Sequence, residues 1–152
     1  MQQQISVITL GIADLAASRH FYGEGFGWTP VFENDEIAFY QMNGLVLGTW
    51  RRDALAADAG RPAVAGPGAF ALAHNVPNRA DVAPLMARLV AAGGTELRSA
   101  DAPPHGGYRG YVADPDGHAW DRVEPGLDGG RGRACDVRGV ARPLPSAIGH
   151  AS

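Results

Sequence analysis

The stretch that decides the fold is ISVITLGIADLAASRHFYGEGFGW, residues 5–28. Its first part, Ile5 to Ile12, is an apolar run rich in β-branched residues, which is typical of a strand. Asp14 then offers the side chain of a helix N-cap, and Gly27 ends the segment. Between them, residues at helical spacing predict a helix with one apolar face: Leu15, Ser18, Phe21, Tyr22 and Phe26. The stretch therefore predicts a strand followed by a helix.

The rest of the first half predicts three more strands. They are expected at residues 28–32, 36–42 and 45–50, where apolar and β-branched residues dominate. Asn43-Gly44 lies between the last two, and this dipeptide is a strong signal for a hairpin turn. The first half is thus a strand, a helix and three strands.

The second half repeats this order. A strand is expected at residues 70–76, Asn78 is the expected N-cap of a helix, and the glycine pair at 93–94 ends that helix. The three remaining strands are expected at residues 95–99, 108–113 and 118–123. A constant shift along the chain lays Asp14 on Asn78, so the two halves form an internal repeat.

These patterns predict an α+β fold made of two βαβββ modules, at about residues 5–58 and 69–124, joined by a linker at 60–68. One helix covers one face of each sheet and leaves the other face uncovered. We expect a cupped mixed sheet whose helix-free faces line a shared pocket. This domain spans residues 1–125, and the Gly-, Arg- and Pro-rich stretch at 126–152 is expected to be an irregular, disordered tail.

The composition excludes several classes of protein. The chain has 152 residues, a formal net charge of −3 and a single cysteine. An acidic chain without a basic patch is not expected to bind nucleic acid or an anionic membrane. Cys135 alone forms no internal disulfide and no CxxC motif. The first residues lack the basic segment of a signal peptide, so we expect a cytoplasmic protein.

Two motifs, one in each half, resemble those of a known superfamily. The first is ADLAASRHFY at residues 13–22, which closes on the Gly-Trp pair at 27–28. The second is GYRGY at 107–111, followed by DPDGHAW at 114–120. Over about residues 5–121 the chain resembles the vicinal oxygen chelate superfamily, which includes glyoxalase I, bleomycin-resistance proteins and extradiol dioxygenases. The resemblance implies paired modules around a cup, a small-molecule ligand and assembly as a homodimer.

The resemblance also implies where a metal ion would be held. Metal-using members have His or Glu ligands at four inward positions of the cup. Here these positions fall at Val7, Gly48, Ala71 and Asp121, and only Asp121 carries a donor atom. Since a metal site with room for substrate needs at least three donors, we expect no metal centre and no other cofactor. A divalent metal in a rearranged site is the alternative.

His74 and Asp121 are the candidate catalytic residues. His74 alternates with Leu72 and Val76, which places it on an apolar face under the helix. An imidazole there is either buried and bonded to backbone, or it serves as a polar anchor or proton shuttle. Asn75 has the opposite parity and is expected to face the cup, where its amide can orient a carbonyl or hydroxyl of a ligand.

The candidate ligand-binding residues lie on strands of both halves. They are Trp50, Asn75, Tyr108, Arg109 and Tyr111. Aromatic rings in this arrangement suit a flat, apolar or aromatic ligand, whose orientation the tyrosine hydroxyls can fix. Arg109 can pair with one carboxylate. His118 follows a predicted Asp116-Gly117 turn and is expected to be exposed.

Two functions fit these residues. The first is a metal-free member of the superfamily that binds a small molecule, as bleomycin-resistance proteins do. The alternative is a metal-dependent, glyoxalase-like lyase, isomerase or dioxygenase with a rearranged site around His74, Asn75, Tyr108 and Asp121. The first predicts binding without turnover, whereas the second predicts activity that chelation abolishes. The missing donors favour the first.

Overall fold

The computed structural model describes residues 4–63, 66–102 and 108–124. Its strands are β1 (Val7–Ile12), β2 (Phe32–Glu33), β3 (Ile37–Gln41), β4 (Val46–Arg51), β5 (Ala71–Asn75), β6 (Thr95–Asp101), β7 (Tyr108–Ala113) and β8 (Ala119–Glu124). Its α-helices are α1 (Leu15–His20), α2 (Arg52–Asp58) and α3 (Val82–Ala91). None of these helices is long and apolar enough to cross a membrane. The predicted tail at 126–152 lies outside the described residues.

The strands form two four-stranded mixed sheets, ordered β1-β4-β3-β2 and β5-β8-β7-β6. In each sheet the first strand of the module pairs in parallel with the last one, and the other pairs are antiparallel. Module 1 (residues 5–58) supplies the first sheet and module 2 (residues 69–124) the second. The two open sheets fit the cupped arrangement, so the predicted α+β fold with repeated βαβββ modules is confirmed.

The first helix begins where the sequence predicts. The Asp14 carboxylate accepts hydrogen bonds from the backbone N–H groups of Ala16 (2.8 Å) and Ala17 (3.2 Å), which have no partner within the helix. A π-helical turn extends α1 as far as Gly25, and Gly27 then redirects the chain with φ at 77°. A positive φ strains residues that carry a β-carbon, which explains glycine at this position.

Helix α2 is absent from the sequence analysis, which gave each module one helix. It follows β4 without a loop and packs on β1 at Gly11, where an added β-carbon would lie 3.4 Å from Cβ of Arg52. Gly11 alternates with Leu10 and Ile12, which are buried in the core with α1. Helix α2 therefore covers one end of β1 on the face opposite α1, and module 1 carries two helices.

Two smaller features also differ from the sequence analysis. Asn78 does not cap α3, because its amide donates to Oδ2 of Asp81 (2.8 Å) and a 3-10 turn precedes the helix. The strand expected at 28–32 is reduced to the two residues of β2. Trp28 instead stacks on Phe26, with ring centroids 4.1 Å apart.

The hydrophobic core lies on the helix side of both sheets, with Tyr22 near its centre. The Tyr22 ring centroid lies 5.1 to 5.9 Å from those of Phe21, Phe26, Trp28, Tyr40 and Trp120. The Tyr22 hydroxyl donates to Oδ2 of Asp114 (2.7 Å) and accepts from Nε1 of Trp120 (3.2 Å). Burial and the charge of Asp114 raise the pKa of Tyr22 well above its ordinary value. These bonds join the two modules.

The turn before β8 also binds module 1. Oδ1 of Asp116 accepts from the backbone N–H of Ala13 (2.7 Å) and from Nη2 of Arg52 (2.8 Å). Nε2 of His118 lies 3.1 Å from the carbonyl oxygen of Gly11. His118 is 5% exposed, so the expectation of an exposed histidine is wrong. The residues that bury His118 belong to module 1 and are far away in the sequence.

Candidate functional site

Each sheet has a face that neither α1 nor α3 covers, the helix-free face, and in module 1 α2 lies over one end of it. The strand register identifies the side chains on this face. In module 1, Thr9 pairs with Gly48, Gly48 with Phe39, and Phe39 with Phe32. Residues paired across neighbouring strands share a face. These four residues, the module 1 row, alternate with buried residues such as Leu10 and therefore lie on the helix-free face. The row is almost entirely apolar.

The equivalent row of module 2 is polar. Ala73 pairs with Asp121, Asp121 with Tyr111, and Tyr111 with Arg98. These four residues, the module 2 row, alternate with buried residues such as Trp120. The fold thus gives the two modules equivalent surfaces with different chemistry.

The residues next to the module 2 row extend its polar surface. Asn75 lies two residues beyond Ala73 on β5, and Arg109 lies two residues before Tyr111 on β7. Because side chains alternate along a strand, both lie on the helix-free face. The structure therefore brings together four of the residues singled out in the sequence: Asn75, Arg109, Tyr111 and Asp121.

A phenol, a carboxylate and a guanidinium interact on this face. Burial raises the pKa of Tyr111, and the hydrogen bond to Asp121 and the charge of that carboxylate raise it further. Arg109 lowers the pKa of Tyr111 through its charge and a hydrogen bond, without cancelling the rise. Tyr111 is therefore protonated at neutral pH and is linked to both charged neighbours.

Arg109 is placed to bind an anion. Its Nη1 atom is buried and has no hydrogen-bond partner among the residues that the structure describes. Asp101, its neighbour across β6 and β7, forms an ion pair with Arg98. An anionic group on a ligand would supply the partner that Nη1 lacks.

His74 and Tyr108 lie on the opposite, helix-facing side of the same sheet. The His74 ring makes edge contacts with Phe26 (5.5 Å) and Trp28 (5.8 Å), in the apolar surroundings that its alternation with Leu72 predicts. The Tyr108 hydroxyl donates to the carbonyl of Ala100 (3.3 Å), and Arg79 lies 4.1 Å above its ring. The rearranged site considered above is therefore divided between the two faces of one sheet.

Trp50 lies on the helix-free face of module 1. It pairs with Gly11 on β1 and with Ile37 on β3. Its Nε1 atom is buried and has no hydrogen-bond partner in the described part of the chain. A half-buried indole with an unsatisfied donor can bind a ligand by ring contact and by a hydrogen bond.

Arg98 does not stand out in the sequence, and Phe39 stands out only as one of several strand aromatics that suit a flat ligand. Phe39 covers Gly48, and Arg98 completes the module 2 row. The alternation along residues 37–41 identifies the face of Phe39 but not which residue it covers. Arg98 reaches its position through irregular pairing between β6 and β7, for which the sequence gives no signal.

Comparison with protein families gives a direct match to this arrangement. The family model for the Glyoxalase/Bleomycin resistance protein/Dioxygenase superfamily matches residues 4–121. The chain belongs to this superfamily. The match covers both modules and both helix-free faces, and the resemblance noted in the sequence is confirmed. No curated protein matches the chain.

Solved structures of the superfamily support the assignment. A glyoxalase-related enzyme from Fulvimarina pelagi is 57% identical, with a TM-score of 0.83, and the match covers 93% of this chain and 98% of that one. A lactoylglutathione lyase from Agrobacterium tumefaciens is 23% identical, with a TM-score of 0.66 and coverage of 82% and 95%. The second likeness concerns the fold alone.

Metal-using members of the superfamily hold a divalent ion, and the residues of this chain at the corresponding positions do not fit one. Val7, Gly48 and Ala71 offer no donor, and Asp121 is a single carboxylate. A β-carbon at Gly48 would lie 2.9 Å from Cε1 of Phe39, so this ring already fills the space of a ligand side chain. Within residues 4–63, 66–102 and 108–124, no three His, Cys, Asp or Glu residues are grouped so that they could hold a metal ion.

Proposed function

We propose that the chain binds a small aromatic or apolar molecule with one anionic group, in the cup of its helix-free faces and without a metal ion. The observation that carries the proposal is the difference between the two rows. One row offers ring and methyl surface, whereas the other offers a phenol, a carboxylate and a guanidinium. An apolar pocket with a few convergent polar groups is the usual form of a small-molecule site.

The polar contacts of the proposed site come from module 2. Arg109 binds the anionic group, since its Nη1 lacks a partner among the described residues. Tyr111 lies beside it, donates its hydroxyl hydrogen to Asp121 and accepts from Arg109, so it orients the guanidinium that the ligand contacts. Asn75 is exposed on the same face. Asp121 interacts with Tyr111 and would transfer a proton only if the protein turns its ligand over.

The apolar contacts come from module 1. Phe39 and Phe32 form a ring pair with centroids 6.0 Å apart, and Phe32 is half exposed. Trp50 lies on the same face, nearer to α2. A flat ligand that covers these rings removes apolar surface from water, which favours binding by about 25 cal/mol per Å² of that surface.

We also propose that the protein is a homodimer, as the superfamily resemblance implies. The helix-free face of module 1 exposes Val7 (49%) and Phe32 (52%), and Val31 beside it is 65% exposed. Neighbouring exposed apolar side chains of this size often mark a contact with another protein surface. A second copy would cover them and narrow the cup.

Metal analysis combined with ligand binding tests the proposed function. The purified protein is incubated with Zn²⁺, Mn²⁺, Ni²⁺ and Fe²⁺, desalted and analysed for bound metal, and is then titrated with aromatic carboxylates in the presence of a chelator. We expect far less than one metal ion per chain and binding that the chelator does not affect. Stoichiometric metal, or binding that chelation abolishes, would contradict the proposal.

Two variants test whether Arg109 contacts the ligand in the cup and whether Tyr111 orients Arg109. Arg109→Gln is expected to weaken the binding of a carboxylate about tenfold, a loss of roughly 1.4 kcal/mol. Tyr111→Phe is expected to weaken it less, because one neutral hydrogen bond is lost. Arg51→Gln removes the same charge from an exposed ion pair with Asp53 and serves as the control. An effect of Arg51→Gln as large as that of Arg109→Gln would show that only net charge matters.

A second candidate function is enzymatic turnover by a glyoxalase-like lyase, isomerase or dioxygenase. It is favoured by the 57% identity to a protein described as a glyoxalase-related enzyme. Turnover that depends on added metal and disappears with Asp121→Asn would support this candidate. Saturable binding with no product after prolonged incubation would support the binding function instead.

A further inference from the structure

A separate cavity of about 240 Å³ lies where the two modules meet at α2. It extends from the end of β1 to the start of β5 and is lined by residues of both modules, among them Arg52, Leu55, Ala56, Phe70 and His118. Among the described lining residues, Thr9 alone belongs to either row. The cavity is smaller than a typical drug-sized site of roughly 300 Å³ or more, so it suits a smaller molecule.

The charges around the cavity favour an anion, although the chain as a whole carries −3. Arg52 lines the cavity, and the guanidinium nitrogen that it uses to bind Asp116 is Nη2. Arg61 lines it too, and this side chain makes no ion pair with the residues that the structure describes. The two arginines line the cavity, whereas the neighbouring carboxylates of Asp114 and Asp116 do not line it and are hydrogen-bonded within the protein, so the charge that faces the cavity is positive.

Two buried polar atoms beside the cavity also lack partners. Nδ1 of His118 and Nε of Arg52 have no hydrogen bond within the described part of the chain. Nε2 of His118 faces the carbonyl of Gly11, which can only accept, so in the neutral ring Nε2 carries the hydrogen and Nδ1 is an acceptor. A buried donor without a partner costs free energy, which a carboxylate can recover by accepting from Nε of Arg52, whereas Nδ1 of His118 would need a donor.

The rest of the wall is apolar. Leu55 and Ala56 come from α2, and the Phe70 ring lies 6.5 Å from the His118 ring at an angle of 30°. A ligand here would therefore have an anionic end near the arginines and an apolar body against α2 and Phe70. It would also contact both modules at once.

From this arrangement we infer that the cavity beside α2 is a second binding site, for a small monocarboxylic acid with a compact apolar or aromatic body. The carboxylate binds Arg61 and Nε of Arg52, since Nη2 of Arg52 is already bonded to Asp116. The apolar body packs on Leu55, Ala56 and Phe70. This site is distinct from the cup and does not depend on the proposed function of the helix-free faces.

Benzoate is the probe, with benzamide as its neutral counterpart and inorganic phosphate as an anion without an apolar body. Because the cup is also proposed to bind aromatic carboxylates, binding to this cavity is measured separately, by following amide NMR shifts of the full chain as each compound is added. We expect benzoate to perturb Gly11, Ala56 and Gly68. We expect benzamide and phosphate each to bind about tenfold more weakly, because each lacks one of the two required features. Phosphate that binds as tightly as benzoate would overturn the inference.

Three variants distinguish this cavity from the cup. Arg61→Gln is expected to weaken benzoate binding about threefold, because Arg61 is exposed and solvent screens its charge. Ala56→Leu fills the cavity and is expected to weaken binding at least about tenfold. Arg109→Gln is the matched control in the cup and should leave the shifts at Gly11 and Gly68 unchanged. Shifts confined to β5, β7 and β8, or a loss of binding with Arg109→Gln alone, would overturn the inference even if Ala56→Leu fails to fold.

Discussion

The two modules are alike on the helix side and different on the helix-free side. On the helix side, Leu47 of β4 and Trp120 of β8 hold equivalent positions in the register, and both are buried. One residue further along, Gly48 and Asp121 are also equivalent. Gly48 lies under the Phe39 ring, whereas Asp121 interacts with Tyr111.

This difference shows which constraint acts on each side. Residues on the helix side must fill a core that both modules share, so they stay large and apolar in both. The helix-free face carries no such packing requirement, because the helix that covers the core lies on the other side. The fold therefore permits one module to supply apolar surface and the other to supply polar groups.

Tyr22→Phe tests the core on the helix side, which both modules share, and has the largest expected effect on stability. It leaves the Asp114 carboxylate and the Trp120 indole without their common partner in the core. We expect a loss of about 3 kcal/mol in the free energy of unfolding at neutral pH, measured by urea denaturation. A loss below about 0.5 kcal/mol would show that these bonds do not hold the modules together.

The same variant predicts a pH dependence. The pKa of Tyr22 in the folded state is raised above the ordinary value of 10.0, chiefly by burial. The stabilisation is therefore complete below pH 10 and is lost as the pH rises further, because the unfolded chain then binds fewer protons than the folded one. The loss of unfolding free energy caused by Tyr22→Phe should therefore be smaller at alkaline pH than at neutral pH. A loss that does not change with pH would contradict the raised pKa of Tyr22.

Gly48→Glu tests whether the module 1 row can be made to resemble the module 2 row. The new side chain meets the Phe39 ring, so we expect a loss of about 2 kcal/mol in unfolding free energy. Adding Phe39→Ala should restore part of the loss in the double variant. Ala71→Glu, at an exposed position of module 2 that pairs with Ala119, is the control and should change stability by less than about 0.5 kcal/mol.

Asp121→Asn tests the electrostatics of the module 2 row. Removing this carboxylate should lower the pKa of Tyr111 towards its ordinary value, whereas Arg109→Gln should raise it. Both shifts can be followed by tyrosinate absorbance, with Tyr111→Phe to identify the signal. Shifts of the same sign in the two variants would show that Tyr111 does not lie between opposite charges.

Phe32→Ser tests the exposed apolar surface of module 1 and has the smallest expected effect on folding. Phe32 is 52% exposed, so we expect a change within about 0.5 kcal/mol in unfolding free energy. Sedimentation should nevertheless show a weaker dimer. Leu97→Ser, at a similarly exposed position of β6, is the control. If Phe32→Ser sediments in the same way as the parent protein, the helix-free face of module 1 is not part of the dimer contact.

The sequence predicts the fold well because its signals are local. Strand runs, the Asp14 cap and the glycines of turns each depend on neighbouring residues, and Gly44 and Gly117 have positive φ as their turns require. Helix α2 was missed because residues 52–58 are short and follow β4 without a breaker. Only packing on Gly11 shows that this segment is a structural element.

The candidate site is less accessible to sequence reasoning. Tyr108 and Arg109 are adjacent on one strand, so alternation alone already places them on opposite faces. Pairing between strands then decides which residues meet, and the contact of Tyr111 with Asp121 follows from β7 lying beside β8. The burial of His118 depends on Gly11, which is 107 residues away.

The turn before β8 has a consequence for how the molecule can be divided. Asp116 and His118 bond to residues 103 and 107 positions earlier, and Arg52 completes the contact. A protein cut at the linker would yield fragments in which these groups face water, and each fragment would expose part of the aromatic core. The two modules have the same topology, yet neither is expected to fold by itself. Produced separately, they would have to reassociate, as the fragments of a split protein do.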